Sequence, residues 1–227
     1  MADGISAPIE HRYSPYTDNG GTILAIAGED FCVIAGDTRQ SEGYSINTRY
    51  APKVFKMSNN SVLANSGFHA DGVTLAKQLD QRIQESTGEW YRHAHEKDMS
   101  TPAFAQLLAT TLYGKRFFPY YTFSIVGGLD KEGKGCVYGY DPVGSFERYT
   151  CRAAGSAQNL IQPFLDSQVG ITAVNRAEQL SLVSVIRIVK DAFTSATERD
   201  IYTGDFIEMF IITQEGVETQ LHPLKRD

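Results

Sequence analysis

Two unbroken apolar runs, Thr22 to Ala27 and Phe31 to Ala35, flank the tight turn Gly28-Glu29-Asp30. So short a connection between β-prone runs predicts an antiparallel hairpin. Ser61 to Ser66 predicts a further strand. The period then changes, for Leu75, Leu79 and Ile83 recur at every fourth position with Ala76 beside them, the stripe of an amphipathic helix. Thr101 before Pro102 reads as an N-cap followed by proline in the first helical turn, with Phe104, Leu107, Leu108, Thr111 and Leu112 on one face. Sheet returns at Tyr120 to Val126 and Cys136 to Tyr140, joined across GGLDKEGKG, and Phe146 to Arg152 predicts another strand. A helix follows over about Ala157 to Leu165. A stronger one carries Leu182, Val185, Ile186, Val189, Phe193 and Ala196 at spacings of three and four. Phe206 to Thr213 and Val217 to Leu221, split by Gln-Glu-Gly, close the pattern as a hairpin.

Helices entering in pairs between antiparallel hairpins do not build the alternating βαβ of a parallel sheet. They suit two antiparallel sheets packed face to face with helix pairs outside, an α+β fold in four αββα layers. The first 18 residues are polar, hold Pro8 and Pro15 and show no period. They read as a leader or extension ahead of a single domain from 19 to 227. At 227 residues and 42% hydrophobic the chain can fill one large core.

Charge and cysteine content narrow the function classes. The 21 basic residues are scattered among 27 acidic ones, for a net charge of −6, so nucleic acid is not an expected partner. The start of the chain has neither a basic n-region nor an apolar h-region, and no apolar run approaches spanning length, so a membrane partner is not expected. Cys32, Cys136 and Cys151 are odd in number and sit in strand-like contexts. They predict free buried thiols and a cytoplasmic or nuclear address.

Three patterns look chemical and read better as ordinary structure. His93 and His95 lie in a polar loop without a third ligand at metal spacing, so no metal and no cofactor are expected. Gly133-Lys134-Gly135 lacks the glycine spacing and the following Ser or Thr of a phosphate loop and reads as a turn. KRFFPYYTF from Lys115 reads as a helix end running through Pro119 into a buried strand, some of its rings being available for an interface.

The informative constellation spans the chain: Asp37 in AGDTR, Lys53 in APKVF, Ser156 in AAGSA, and Asp200 and Thr203 in ERDIYTGD. In these residues and their order the sequence resembles the beta-type subunits of the 20S proteasome, members of the N-terminal nucleophile hydrolase superfamily. The resemblance covers essentially everything after about residue 13. The strings NGGTILAIAGEDF, GKRFFPYY, YDPVGSFER and ERDIYTGD narrow it to the sixth beta position of the eukaryotic ring.

That resemblance implies the αββα fold, a place in a ring of seven different beta-type subunits stacked on a second such ring and capped by alpha-type rings, and a part in ubiquitin-dependent protein degradation. Active members use the hydroxyl of an N-terminal threonine as nucleophile, with its free amine as base and a nearby lysine and aspartates to orient them. By the resemblance the threonine stands sixteen residues before the strand-ending Asp and thirty-two before the Lys. From Asp37, 37 − 16 = 21, and from Lys53, 53 − 32 = 21, where this chain has Gly21. The reading is therefore a non-catalytic subunit with vestigial positions Gly21, Asp37, Lys53, Ser156, Asp200 and Thr203, whose leader is not removed by self-cleavage. Asp37 and Lys53 are expected to remain as a structural pair. Thr203 stands where the family usually has serine, and Gly204-Asp205 where it usually has a glycine pair.

The alternative is an active threonine peptidase using Thr22. A one-residue slip along a strand turns a side chain to the opposite face, which directs the Thr22 hydroxyl away from Lys53. The leader, the polar segment 85 to 98 and the terminal HPLKRD are the expected position-specific contacts with neighbouring subunits.

Overall fold

A computed structural model describes residues 13–87, 99–170 and 180–227. Two five-stranded antiparallel sheets and a separate hairpin hold its strands. In the first sheet β1 (Thr22–Ala27) and β2 (Phe31–Asp37) lie at the centre, with β10 (Cys151–Gly155) beside β1 and β11 (Phe206–Thr213) and β12 (Gly216–Pro223) beyond β2. The second runs in the order β5 (Val54–Lys56), β6 (Ser61–Gly67), β7 (Thr122–Leu129), β8 (Gly135–Tyr140), β9 (Phe146–Tyr149). The hairpin β3 (Gln40–Glu42) and β4 (Ser45–Thr48) pairs only with itself.

The unbroken apolar runs have a simple cause. Leu24 and Ile26 on β1 and Val33 and Ala35 on β2 face α3 (Gln158–Gln168) and α4 (Leu182–Thr197). The alternate residues Ile23, Ala25, Cys32 and Ile34 meet Val62, Ala64, Ile125 and Val137 of the second sheet. Both faces of these strands are covered, so both must be apolar. On the far side α1 (His69–Thr87) and α2 (Thr101–Tyr113) bury Leu75, Leu79, Phe104 and Leu108 against Leu63, Val126 and Cys136. The layers are αββα, as the order of elements predicts.

Several boundaries depart from the sequence reading. The predicted strand Phe146 to Arg152 is two strands in different sheets. β9 pairs with β8, while from Cys151 the chain pairs with β1. The break is at Thr150, whose carbonyl accepts the Ala27 amide. The predicted Thr101 cap is wrong by one residue. Ser100 is the N-cap, accepting the Ala103 amide, and Pro102 follows Thr101 in the first turn. The Thr101 hydroxyl is fully buried and donates to the Leu129 carbonyl at 2.7 Å. β7 starts two residues later than predicted and absorbs Gly127-Gly128-Leu129, leaving the turn to Asp130–Lys134, where Asp130 accepts the Glu132 and Lys134 amides. His93, His95 and most of the segment 85 to 98 lie outside the described residues, as do residues 1–12 of the leader.

All three cysteines are free and buried. Burial pushes the Cys136 thiol up to about 11 and that of Cys151 up to about 12. Among the described residues no group of three or more His, Cys, Asp or Glu is placed to hold a metal. No described helix is long and apolar enough to cross a membrane.

Candidate functional site

At one end of the first sheet the chain enters β1, β2 ends, α3 begins after Ser156, and the α4–β11 loop turns over. Lys53 arrives there from the residue just before β5. The topology thus gathers Gly21, Thr22, Asp37, Lys53, Ser156, Asp200 and Thr203, and it sorts them into two groups on either side of the β1 backbone.

Asp37 and Lys53 form the first group with Gly21. Both charged side chains are buried, with Nζ 3.3 Å from Asp37 Oδ1. Lys53 also donates to the carbonyls of Asp37, at 3.0 Å, and of Arg39. Asp37 Oδ1 accepts the Thr22 amide at 2.8 Å and Oδ2 the Gly204 amide at 3.2 Å. Burial pushes the Asp37 carboxyl up and the Lys53 ammonium down, each against the pull of its partner.

Gly21 has a φ of +84°, in the left-handed region, and a Cβ built on it would stand 2.7 Å from Lys53 Nζ and 3.0 Å from Asp37 Oδ1 and closer still to Lys53 Cε. The lysine thus fills the place of a side chain at residue 21. Beside it the cavity lined by Pro52, Lys53, Asn65, Gly67, His69 and Val73 measures about 10 Å³, room for about one water.

Thr22 belongs to the second group. It shares its strand face with Leu24 and Ile26, the helix-facing side, and is fully buried. Its hydroxyl lies 2.8 Å from Thr203 Oγ1 and 3.4 Å from Ser156 Oγ and accepts the Ala157 amide at 3.0 Å. Asp200 Oδ2 collects both other hydroxyls, Ser156 at 2.6 Å and Thr203 at 2.6 Å. Lys53 is not among the partners of the Thr22 hydroxyl. The Gly21–Thr22 peptide is itself held, its carbonyl accepting Ser66 Oγ at 2.8 Å and the Ser156 amide at 3.0 Å.

Sequence reasoning missed three participants. Asn19 is buried and bridges the hairpin to the second sheet. Its amide donates to Gly67 O, its side chain donates to Ser41 O, and its Oδ1 accepts the His69 amide. Arg39 and Arg49 converge on Asp205, with Arg39 Nε 2.8 Å from Oδ2 and Arg49 Nη1 2.5 Å from Oδ1. Asp205 is fully buried with a φ of 73°. Burial alone would push its carboxyl up, but the hydrogen bonds and charges of the two guanidinium groups together hold it below its ordinary range. The signal was present: a carboxylate standing where the resemblance implies glycine, with an arginine two residues after Asp37 able to answer it.

A model of the family described as "Proteasome subunit" matches residues 17–212. The chain belongs to the proteasome subunit family. Its curated proteasome relatives include "Proteasome subunit beta type-1-B" of Carassius auratus, 50% identical over 98% of this chain and 92% of the relative. "Proteasome subunit beta type-6" of Saccharomyces cerevisiae is 48% identical over 100% and 96%. "Proteasome subunit beta type-1" of Arabidopsis thaliana is 50% identical over 95% and 97%. Identity of this order over nearly the whole length places the chain among proteasome beta subunits, as GKRFFPYY and ERDIYTGD suggested, and the two antiparallel sheets with flanking helices are consistent with that family's sandwich.

Proposed function

We propose that this chain is a non-catalytic beta subunit of the 20S proteasome core particle. It assembles with other proteasome subunits, takes its place in a ring of seven beta-type subunits stacked on a second such ring and capped by alpha-type rings, and walls part of the chamber in which its neighbours degrade ubiquitin-tagged proteins in cytoplasm and nucleus. Residues 19 to 227 act as one beta-type domain, with 1 to 18 as its leader. The positions Gly21, Asp37, Lys53, Ser156, Asp200 and Thr203 are a vestigial site. The leader, the segment 85 to 98 and the terminal HPLKRD are position-specific contacts; if deleting each left incorporation into the particle unchanged, that part of the reading would be lost.

One observation carries the reading: the residue set beside Asp37 and Lys53 at the entry to β1 is Gly21, which has no hydroxyl and continues as peptide on both sides, its carbonyl held by Ser66 and Ser156. The catalytic alternative finds no such support, because the Thr22 hydroxyl is buried on the opposite face of β1 and its nitrogen is a peptide amide bound to Asp37. The test is intact-mass and N-terminal analysis of the chain from native material, with the size of the complex that carries it. A start upstream of Gly21 in a very large particle is expected. A start at Thr22, with labelling by a threonine-directed covalent inhibitor, would overturn the reading.

A further inference from the structure

The corner between α2 and β7 exposes aromatic surface that the fold does not use. Phe117 is 97% exposed, Tyr113 64% and Phe118 58%. As expected, the helix end passes through Pro119 into a buried strand, with Tyr120 buried and Phe123 packed against the inter-sheet core, while Phe117, Tyr113 and Phe118 stand outside.

The corner is rigid. Successive tight turns link the Lys115 amide to Leu112 O, that of Arg116 to Tyr113 O and that of Phe118 to Lys115 O. Tyr16 fastens it from the other side, donating its hydroxyl to Pro119 O at 2.7 Å and setting its ring 5.8 Å from Phe118 and 5.5 Å from Tyr121. A ring held in water by a pre-ordered turn loses little entropy on docking, and aromatic and arginine side chains are the usual anchors of protein interfaces. Lys115 stands over Phe118 at 5.1 Å and Arg116 over Phe117 at 5.7 Å. Among the described residues neither cation has an ion-pair partner, in a chain whose net charge is −6. A covering surface that carried carboxylates would complement these two cations.

We infer that Phe117, flanked by Arg116 and Lys115, anchors a neighbouring proteasome subunit that presents an apolar cup rimmed by Asp or Glu. This rests on the proposed place in the particle and adds the surface that holds it there. The occupant is a folded subunit because a projecting ring on a stiff turn fits a preformed cup.

The test expresses the full chain, tagged, in cells that assemble the particle, with Phe117→p-benzoylphenylalanine for photocrosslinking and with Phe117→Ala and Arg116→Glu for competition against the differently tagged wild-type chain. The expected result is a covalent adduct to another proteasome subunit next to acidic residues, and incorporation of each variant reduced roughly tenfold or more against wild type. Because Phe117 is exposed, the melting temperature of the isolated Phe117→Ala chain should equal that of wild type. Wild-type incorporation with no adduct, with an adduct to lipid or nucleic acid, or with equal incorporation of both variants would overturn the inference alone. Failure of the wild-type chain to enter the particle would instead overturn the proposed function on which it rests.

Discussion

Lys53 brings a charge into a buried place, and its worth depends on Asp37 staying charged opposite it. Removing one member of a buried pair leaves the other without compensation, which costs about 3–5 kcal/mol. Lys53→Ala should lower stability by about that much in denaturant titration, and Lys53→Ala with Asp37→Ala by less than the sum of the single changes. Gly21→Thr, the change that places a threonine where the resemblance implies the nucleophile, meets the same lysine. It should destabilise the chain by about 1–3 kcal/mol, chiefly through the left-handed backbone at residue 21, and leave it unlabelled by a threonine-directed electrophile. Asp205 titrates in a definite direction. A carboxyl held below its ordinary 3.8 contributes stability that is present above that pH and lost as pH falls through the folded-state value. The melting-temperature gap between wild type and Asp205→Asn should therefore be widest near neutral pH and close below about 3.8.

Among the elements, Ser100 takes the capping role the sequence suggests for Thr101, whose hydroxyl turns inward to the Leu129 carbonyl. Ser100→Ala should cost about 1 kcal/mol as the loss of a cap. Thr101→Val keeps the shape but leaves the Leu129 carbonyl without its donor, at about 1–3 kcal/mol. Thermal melts of the two variants rank the effects, and a larger loss at Ser100 would contradict the assignment. The same pair explains what the sequence could and could not reveal. Long apolar periods such as Leu75, Leu79 and Ile83, or Val185 and Val189, announce their helices because burial alone dictates them. The three-residue strands β3 and β5 have no such period, and the handover of β9 to β10 at Thr150 depends on partners far away in the chain. Of the residues gathered at the end of the first sheet, Asp37, Lys53, Ser156, Asp200 and Thr203 stand in ordered motifs that the sequence displays. Asn19 and Arg49 were not, because each acts only through contacts that folding creates.

In the whole molecule the inter-sheet layer is common to both halves. Ile34→Ala should cost about 2–5 kcal/mol and weaken hydrogen-exchange protection in both sheets. Val189→Ala should confine its effect to the first sheet and its helices, since Val189 packs only there. Protection lost equally everywhere in both variants would mean that the layers do not separate in this way.

The short run from Tyr16 to Gly21 touches two distant parts of this molecule at once: Tyr16 grips the aromatic corner, while Asn19 and Gly21 sit in the closed end of the sandwich. Linkage through such a tether is reciprocal. A surface that covered the corner and steadied Tyr16 would steady Asn19 and Gly21 with it, and limited proteolysis between Tyr16 and Asn19 should slow in the same measure.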